Sequence, residues 1–285
     1  MNKTATKVLA LCAAAMMTLT ACTGNAPATE EEKPSDAAST ETKDEATDKK
    51  DEDKTADAAD VTGKHEITDL VLPKLAQNEL TTFNILHSET NEDFEILFNL
   101  VEGLLEKDSL DKRHPCVATE WGTEDGGLNW TFKLRNDVKW VDMNGNVKAD
   151  CVADDFLTAL EWTLNFHKND SIGTSMPCQM IKGAQEYYDY TKGLSKEEAY
   201  ALTAGEGSKF REMVAVEAPD AYTLHYTCTA EKPYFDSLMS YTTGMPMSQA
   251  MIDELGGVDG VRAMNNENMW YNSCYTMTSY LQGNE

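Results

Sequence analysis

Residues 128–165 read LNWTFKLRNDVKWVDMNGNVKADCVADDFLTALEWTLN, and a change of period inside this stretch decides the fold class. Leu128, Trp130, Phe132 and Leu134 alternate with Asn129, Thr131, Lys133 and Arg135, the period of two of a strand with one buried face. Asp125-Gly126-Gly127 supplies a turn before it, and Val138 and Trp140 continue the apolar pattern after Asn136-Asp137. Asn144-Gly145 then predicts a hairpin between 139–142 and 146–148. From Val152 the period becomes helical. Phe156, Leu160 and Leu164 follow it at every fourth position, with Ala159 and Thr163 on the same face and Asp150 placed to cap the start. A hairpin feeding an amphipathic helix makes the class mixed α/β.

The same reading extends outward. Phe94, Leu97, Phe98, Val101 and Leu104/Leu105 recur at helical spacing and predict a helix over 92–105, with Asn91 as N-cap and Glu92 and Asp93 favourable in its first turn. Ser195 and Glu198 form a capping box for a short helix. Val214 and Val216, a turn at Pro219-Asp220, then Tyr222, Leu224, Tyr226 and Cys228 predict a second hairpin. Pro233 suits the first turn of a helix that turns Phe235 and Leu238 inward. Another short helix is expected from Ser248 to Leu255, stopped by Gly256-Gly257. No internal repeat is present.

The 285 residues carry 24 Lys+Arg against 49 Asp+Glu, a formal net charge of −25. Phosphate binding needs a basic surface, so this balance argues against a nucleic-acid partner and against a polybasic membrane patch. Residues 1–21 are expected to be an export signal. Lys3 and Lys7 are its only charges, and an apolar run follows from Val8 to about Leu19. That run makes ~18 Å of helix, too short for a ~30 Å hydrocarbon core but suited to a signal peptide. It ends in Leu19-Thr20-Ala21-Cys22, a lipobox similar to that of bacterial lipoproteins, which implies diacylglycerol on the Cys22 sulfur and cleavage before it. Several acyl chains on one cysteine anchor stably. Residues 22–64 are expected to be a disordered acidic tether. From 23 to 64 there are 13 Asp+Glu against six Lys, with Val61 as the sole large aliphatic residue and no aromatic. The folded domain is expected over 65–285.

Five cysteines remain in that domain: Cys116, Cys151, Cys178, Cys228 and Cys274. None stand in C-x-x-C spacing, which argues against a zinc ribbon or redox motif. Their odd number makes a poor disulfide framework; buried thiols are expected, with one disulfide left open. The chain has no G-x-S-x-G, H-E-x-x-H, G-x-x-x-x-G-K or G-x-G-x-x-G. No metal-ligand spacing appears among the five histidines, and no cofactor or metal is expected. Asp142-Met-Asn-Gly-Asn146 lacks the glycine and final glutamate of a calcium loop and reads as a hairpin turn. Asp154-Asp155 do not face each other on a helix, so a solvated first turn is expected rather than an acid/base pair. Trp130 and Trp140 are expected in the core.

Several runs resemble the family-five extracellular solute-binding proteins, the peptide- and nickel-binding components of ABC importers. Asn99-Leu-Val-Glu102-Gly103-Leu104 is similar to the family's "n-l-y-e-G-L", and Val117-Ala-Thr-Glu-Trp121 to "l-A-e-s-W". Leu128 to Arg135 resembles "y-t-F-x-L-R", and Asp137 to Trp140 with Asn144-Gly145 resembles "d-V-k-W-x-D-G". Ala149 to Phe156, Asp220 to Leu224 and Pro233 to Phe235 continue the match in order. Each motif alone is weak; seven in sequence are strong. The resemblance implies a mixed-sheet lobe of the periplasmic-binding-protein-like type (type II, with an extra subdomain). It implies a binding protein rather than an enzyme, delivering oligopeptides to a membrane permease with its ATPase subunits. Nickel or oligosaccharide binding, or a structural or adhesive surface lipoprotein, stand as alternatives. The lipobox adds attachment to the outer face of the bacterial cytoplasmic membrane. At Tyr271-Asn272-Ser273-Cys274-Tyr275 the chain departs from the family's "n-G-P-Y", which leads into a second lobe, and it stops at Glu285. A single, N-terminal lobe is therefore expected, with apolar surface left exposed on its cleft face. By the same analogy the cleft residues are Asn99 and Glu102 near the first helix, Tyr241, Thr243, Gly244 and Met245 in the loop from Ser240 to Met247, and Asn272 and Tyr275 before the lobe crossing.

Overall fold

The computed structural model describes residues 79–281 except Asp170. The expected signal peptide, Cys22 and the 22–64 tether lie outside the described residues.

In chain order the elements are α1 (Asn91–Leu97), β1 (Leu105–Lys107), β2 (Arg113–Pro115), β3 (Ala118–Gly122), β4 (Asn129–Leu134), β5 (Lys139–Val141) and β6 (Val147–Asp150). They continue with α2 (Ala153–Leu164), a 3-10 turn (Ile172–Thr174), α3 (Ser175–Met180), α4 (Ala184–Lys192), α5 (Lys196–Tyr200) and α6 (Lys209–Met213). The last are β7 (Val216–Asp220), β8 (Thr223–Thr227), α7 (Phe235–Leu238), a 3-10 turn (Thr242–Gly244), α8 (Gln249–Glu254) and α9 (Val258–Arg262). One sheet has the order β3-β4-β8-β7, and β1–β2 and β5–β6 are separate hairpins. Every strand pairing among the described residues is antiparallel, so the lobe mixes helices with sheet rather than strand directions within a sheet.

The alternation read from 128 to 134 forms β4 from Asn129 onward; Leu128 lies just before the strand and is exposed rather than inward. Trp130, Phe132 and Leu134 are buried, and Trp130 and Phe132 pair in register with Tyr226 and Leu224 of β8. Phe132 meets Tyr226 edge-on, with ring centroids 5.8 Å apart. Phe235 of α7 lies 6.1 Å from Trp130 and 5.5 Å from Tyr226, which fastens that short helix to the sheet. Trp140 is also in the core, as expected. The close approach of α7 is set at Gly127 (φ 97), where a Cβ would stand 2.4 Å from the Lys232 carbonyl carbon. Pro233 is consequently spent on this crossing and precedes the helix cap at Tyr234, outside the first turn expected for it.

Helix α2 keeps its predicted span but is buried at every residue except Asp154. Its buried carboxylates are partnered, whereas the buried Trp162 indole N–H has no hydrogen-bond partner among the described residues. Glu161 accepts from Lys168 Nζ (2.7 Å), Asn165 Nδ2 (2.9 Å) and Tyr187 Oη (2.8 Å). Asp155 is buried too, against the expectation of a solvated pair; only Asp154 faces solvent, where it meets Arg211. Nor does Asp150 cap this helix: it stays in β6, bonded to Lys139. Asp155 Oδ2 takes the Val152 N–H instead (3.0 Å), together with Trp140 Nε1 (2.9 Å). Burial pushes the Asp155 carboxyl up to about 6.

The 139–150 hairpin and the Ser195 capping box form as expected, and so does the helix stopped by Gly256-Gly257. The first turn is longer than Asn-Gly alone: Asp142 Oδ1 accepts from the amides of Asn144 and Asn146. The five cysteines of the described residues are free thiols; Cys151, Cys178 and Cys228 are buried and Cys274 is exposed.

Candidate functional site

Helix α1 turns an unexpected face to the core. Asp93 and Leu97 are fully buried, whereas Phe94 and Phe98, the aromatic half of the apolar pattern, are only partly covered and stack 5.6 Å apart. The carboxylate of Asp93 explains this. It accepts from the Thr81 amide (2.8 Å), the Thr81 hydroxyl and the Ser88 hydroxyl (2.9 Å), tying the preceding loop to the first turn. The N-cap is Thr90, whose hydroxyl accepts from the Asp93 amide (3.2 Å), not Asn91. The helix ends at Leu97 rather than near 105. Asn99 and Leu100 donate to carbonyls three residues back, and Leu104 N–H goes to Gly244 O (2.8 Å) as the chain is drawn into strand pairing.

Phe94 and Phe98 form one wall of a cleft of ≈ 790 Å³. The second wall is the 3-10 turn and the start of α3, presenting Ile172 and Met176. It is fastened to the first by Glu89 Oε1, which takes the Ile172 N–H (2.9 Å), and by Asn169, which donates to Leu86 O (3.3 Å) and meets His87 Nδ1 (3.2 Å). The third wall is α7 and the turn after it, presenting Leu238, Tyr241 and Thr243. Lys107 of β1 bonds the Tyr241 hydroxyl and lies 4.4 Å from its ring centroid, while Asp111 holds the ammonium from the other side (3.0 Å). The lining surface is mostly aromatic and aliphatic, with Ser88, Asn91, Ser237, Thr242 and Thr243 as neutral polar groups and Glu95 as its carboxylate. It suits a ligand with apolar side chains and hydrogen-bonding backbone.

Behind the third wall lies a buried crossing. Asn272 clamps the Glu102 backbone at two points: its Oδ1 accepts the Glu102 N–H (2.9 Å) and its Nδ2 donates to the Glu102 carbonyl (3.0 Å). An antiparallel bridge between Val141 and Tyr271 holds this strand of chain in place. The Glu102 carboxyl bonds Cys116 and Ser273, and burial moves it above the ordinary carboxylate range. The same burial, with Glu102 beside it, pushes the Cys116 thiol up to about 12, so it is a poor nucleophile. A Cβ on Gly103 would stand 2.8 Å from Gly244 O and 2.9 Å from Met245 Cε, and one on Gly244 would stand 2.1 Å from Met239 O, so the approach of these segments leaves no room for a side chain at either glycine.

The residues named from sequence thus divide. Tyr241 and Thr243 line the cleft. Glu102, Gly244, Met245 and Asn272 come together in the crossing, where their contacts are structural. Asn99 is half-buried and donates to Glu95 O (2.7 Å), closing the end of α1. Tyr275 packs on the edge of the core. Sequence reasoning missed Ile172 and Met176, which lie in a stretch without strong periodicity, and assigned Phe94 and Phe98 to the core. A buried carboxylate at 93 was the signal that would have rotated the helix. Among the described residues no group of His, Cys, Asp or Glu is arranged to hold a metal ion.

The profile of the bacterial extracellular solute-binding proteins, family 5 (its middle region), matches residues 112–285. The oligopeptide-binding protein AmiA of Streptococcus pneumoniae is 26% identical over 198 residues, covering 69% of this chain and 27% of that protein. The substrate-binding domain of an oligopeptide ABC transporter from Bacillus anthracis is similar in structure, with a TM-score of 0.58 at 25% identity over 73% of this chain and 35% of that one. Haemophilus influenzae OppA, solved in complex with the peptide RPPGFSPFR, gives a TM-score of 0.55 at 26% identity over 70% of this chain and 34% of that one. The chain spans about a quarter to a third of the length of these relatives. Its architecture is that of a periplasmic-binding-protein-like lobe, its sequence pattern is that of a binding protein rather than an enzyme, and the chain belongs to the family 5 bacterial extracellular solute-binding proteins.

Proposed function

We propose that this chain provides the N-terminal lobe of an oligopeptide-binding component of an ABC importer. The observation that carries the proposal is the likeness, in sequence and in fold, to several oligopeptide-binding proteins over about two-thirds of the chain. The cleft supports it: apolar walls tolerate varied side chains, and a rim of hydroxyls and amides can take a peptide backbone. In this reading residues 1–21 are the export signal and Cys22 carries the lipid. The acidic segment 22–64 spaces the domain at 65–285 from the outer face of the cytoplasmic membrane. The liganded protein is then handed to a permease whose ATPase subunits lie on the other side.

The test is thermal unfolding of the purified protein with and without a mixed peptide pool. A ligand present at 100 times its dissociation constant adds ~2.7 kcal/mol of stability, several degrees in Tm. In a protein carrying both lobes, no shift with any peptide pool would sink the proposal; the single lobe by itself is expected to bind peptide poorly. The anchor is tested separately. Cys22→Ser is expected to move the protein from the membrane fraction to the medium, and retention of that variant in membranes would remove the lipid from the reading.

A further inference from the structure

We infer that the cleft between α1, the 172–176 segment and Tyr241 is a pocket for one bulky apolar side chain of the bound peptide, and that Lys107, which lies outside the lining, is the positioning residue for its Tyr241 wall. This deepens the peptide reading above and rests on it.

Three observations carry it. First, eight large apolar side chains are exposed among the described residues, and three of them, Ile172, Met176 and Tyr241, converge on this one concavity. Scattered exposed apolar residues need no explanation; convergence in a cleft does. Second, the walls are fixed independently of any ligand. Asp93 and Thr90 orient α1, Glu89 holds the Ile172 amide, and Gly244 N–H to Tyr241 O (2.9 Å) sets the backbone of the third wall. A prebuilt cleft of ≈ 790 Å³ spends little ordering entropy on its occupant. Third, Tyr241 is half-exposed yet held by one partner: its hydroxyl bonds the Lys107 ammonium, which lies 4.4 Å from the ring centroid. Asp111, at the positive-φ position of the β1–β2 turn, holds that ammonium in turn. The Lys107 ammonium, outside the lining, is thereby engaged by Tyr241 and Asp111, and Phe94, Phe98, Ile172, Met176 and Tyr241 give the cleft its apolar surface beside Glu95 and a few hydroxyls.

The experiment uses the native protein and five-residue alanine peptides whose central residue is Ala, Lys, Leu or Phe, with affinities measured by calorimetry. The Leu and Phe peptides are expected to bind about tenfold or more tighter than the Ala and Lys peptides. Met176→Ser, on the wall opposite Tyr241, is expected to shrink the Phe-to-Ala ratio. Lys107→Met is expected to lower the same ratio, and Tyr241→Phe, which keeps the ring and loses the hydroxyl bond, to fall between wild type and Lys107→Met. Thermal unfolding of each variant separates loss of fold from loss of selectivity. Equal affinity for all four peptides would overturn the pocket while leaving the peptide reading intact. An unchanged ratio in Lys107→Met would overturn the role given to Lys107. Failure of every peptide to bind would overturn the peptide reading itself and this inference with it.

Discussion

Two regions meet at Gly244 and are held together by opposite means. On one side the chain from Tyr241 to Thr243 faces a cleft whose lining is half-exposed and apolar. On the other, Gly103, Glu102 and Asn272 are locked by hydrogen bonds and by contacts too close for a side chain. The crossing is closed by partners within the lobe, whereas the cleft presents half-exposed apolar walls. Motifs shared across a family mark the first kind of region as readily as the second, so matching a motif locates the frame of a site before it locates the site.

The sharpest test of this contrast is Gly244→Ala. Its Cβ would stand 2.1 Å from the Met239 carbonyl oxygen, and backbone must move to admit it. A loss of about 3 kcal/mol or more, or failure to fold, is expected by thermal unfolding. Asn272→Ala comes next. It strands both the N–H and the carbonyl of Glu102 and is expected to cost about 2–4 kcal/mol by denaturant titration. Asp155 gives a pH signature. Its folded pKa of about 6 lies above the ordinary value of 3.8, so the neutral form is the stabilising one. That contribution is full below pH 3.8, is lost as pH rises through about 6, and amounts to at most about 3 kcal/mol. Asp155→Asn keeps an acceptor for Trp140 and Val152, so the variant should lack this fall in stability between pH 4 and pH 6, as measured by unfolding at each pH. The smallest effect belongs to the cleft. Ile172→Ser and Met176→Ser are expected to change stability by no more than about 0.5 kcal/mol. If either destabilises as much as Asn272→Ala, the two regions do not differ in the way described.

What could be read from sequence was whatever is decided locally. The alternation from Trp130 to Leu134, the 142–146 turn and the Ser195 capping box each depend on neighbours within a few residues, and each forms. The period of α2 was legible for the same reason, but its burial on nearly all sides was not, because the partners of Glu161 and Asp155 come from 140, 168 and 187. The end of α1 was misread because a carbonyl at Gly244 competes for Leu104, and no local pattern announces that. Its rotation was misread because hydrophobicity ranks Phe94 above Asp93, whereas three hydrogen bonds to a buried carboxylate outrank an aromatic ring. Half of the cleft was invisible for a related reason. Ile172 and Met176 are exposed apolar residues in a short 3-10 turn and the helix that follows it, and only their convergence with residues far away in sequence gives them meaning.

The clamp at Asn272 also imposes an order of assembly. It joins positions 170 residues apart, and closing so long a loop costs roughly 4–5 kcal/mol of chain entropy before any bond repays it. A chain made from its N-terminus can form the 139–150 hairpin and α2 as they emerge, since their contacts are near in sequence. The first wall of the cleft is made early, but the third stays without its backing until Tyr271 and Asn272 arrive to fix the crossing behind Tyr241. The cleft is therefore among the last parts of the lobe to take shape, although α1 precedes every other element of the described residues.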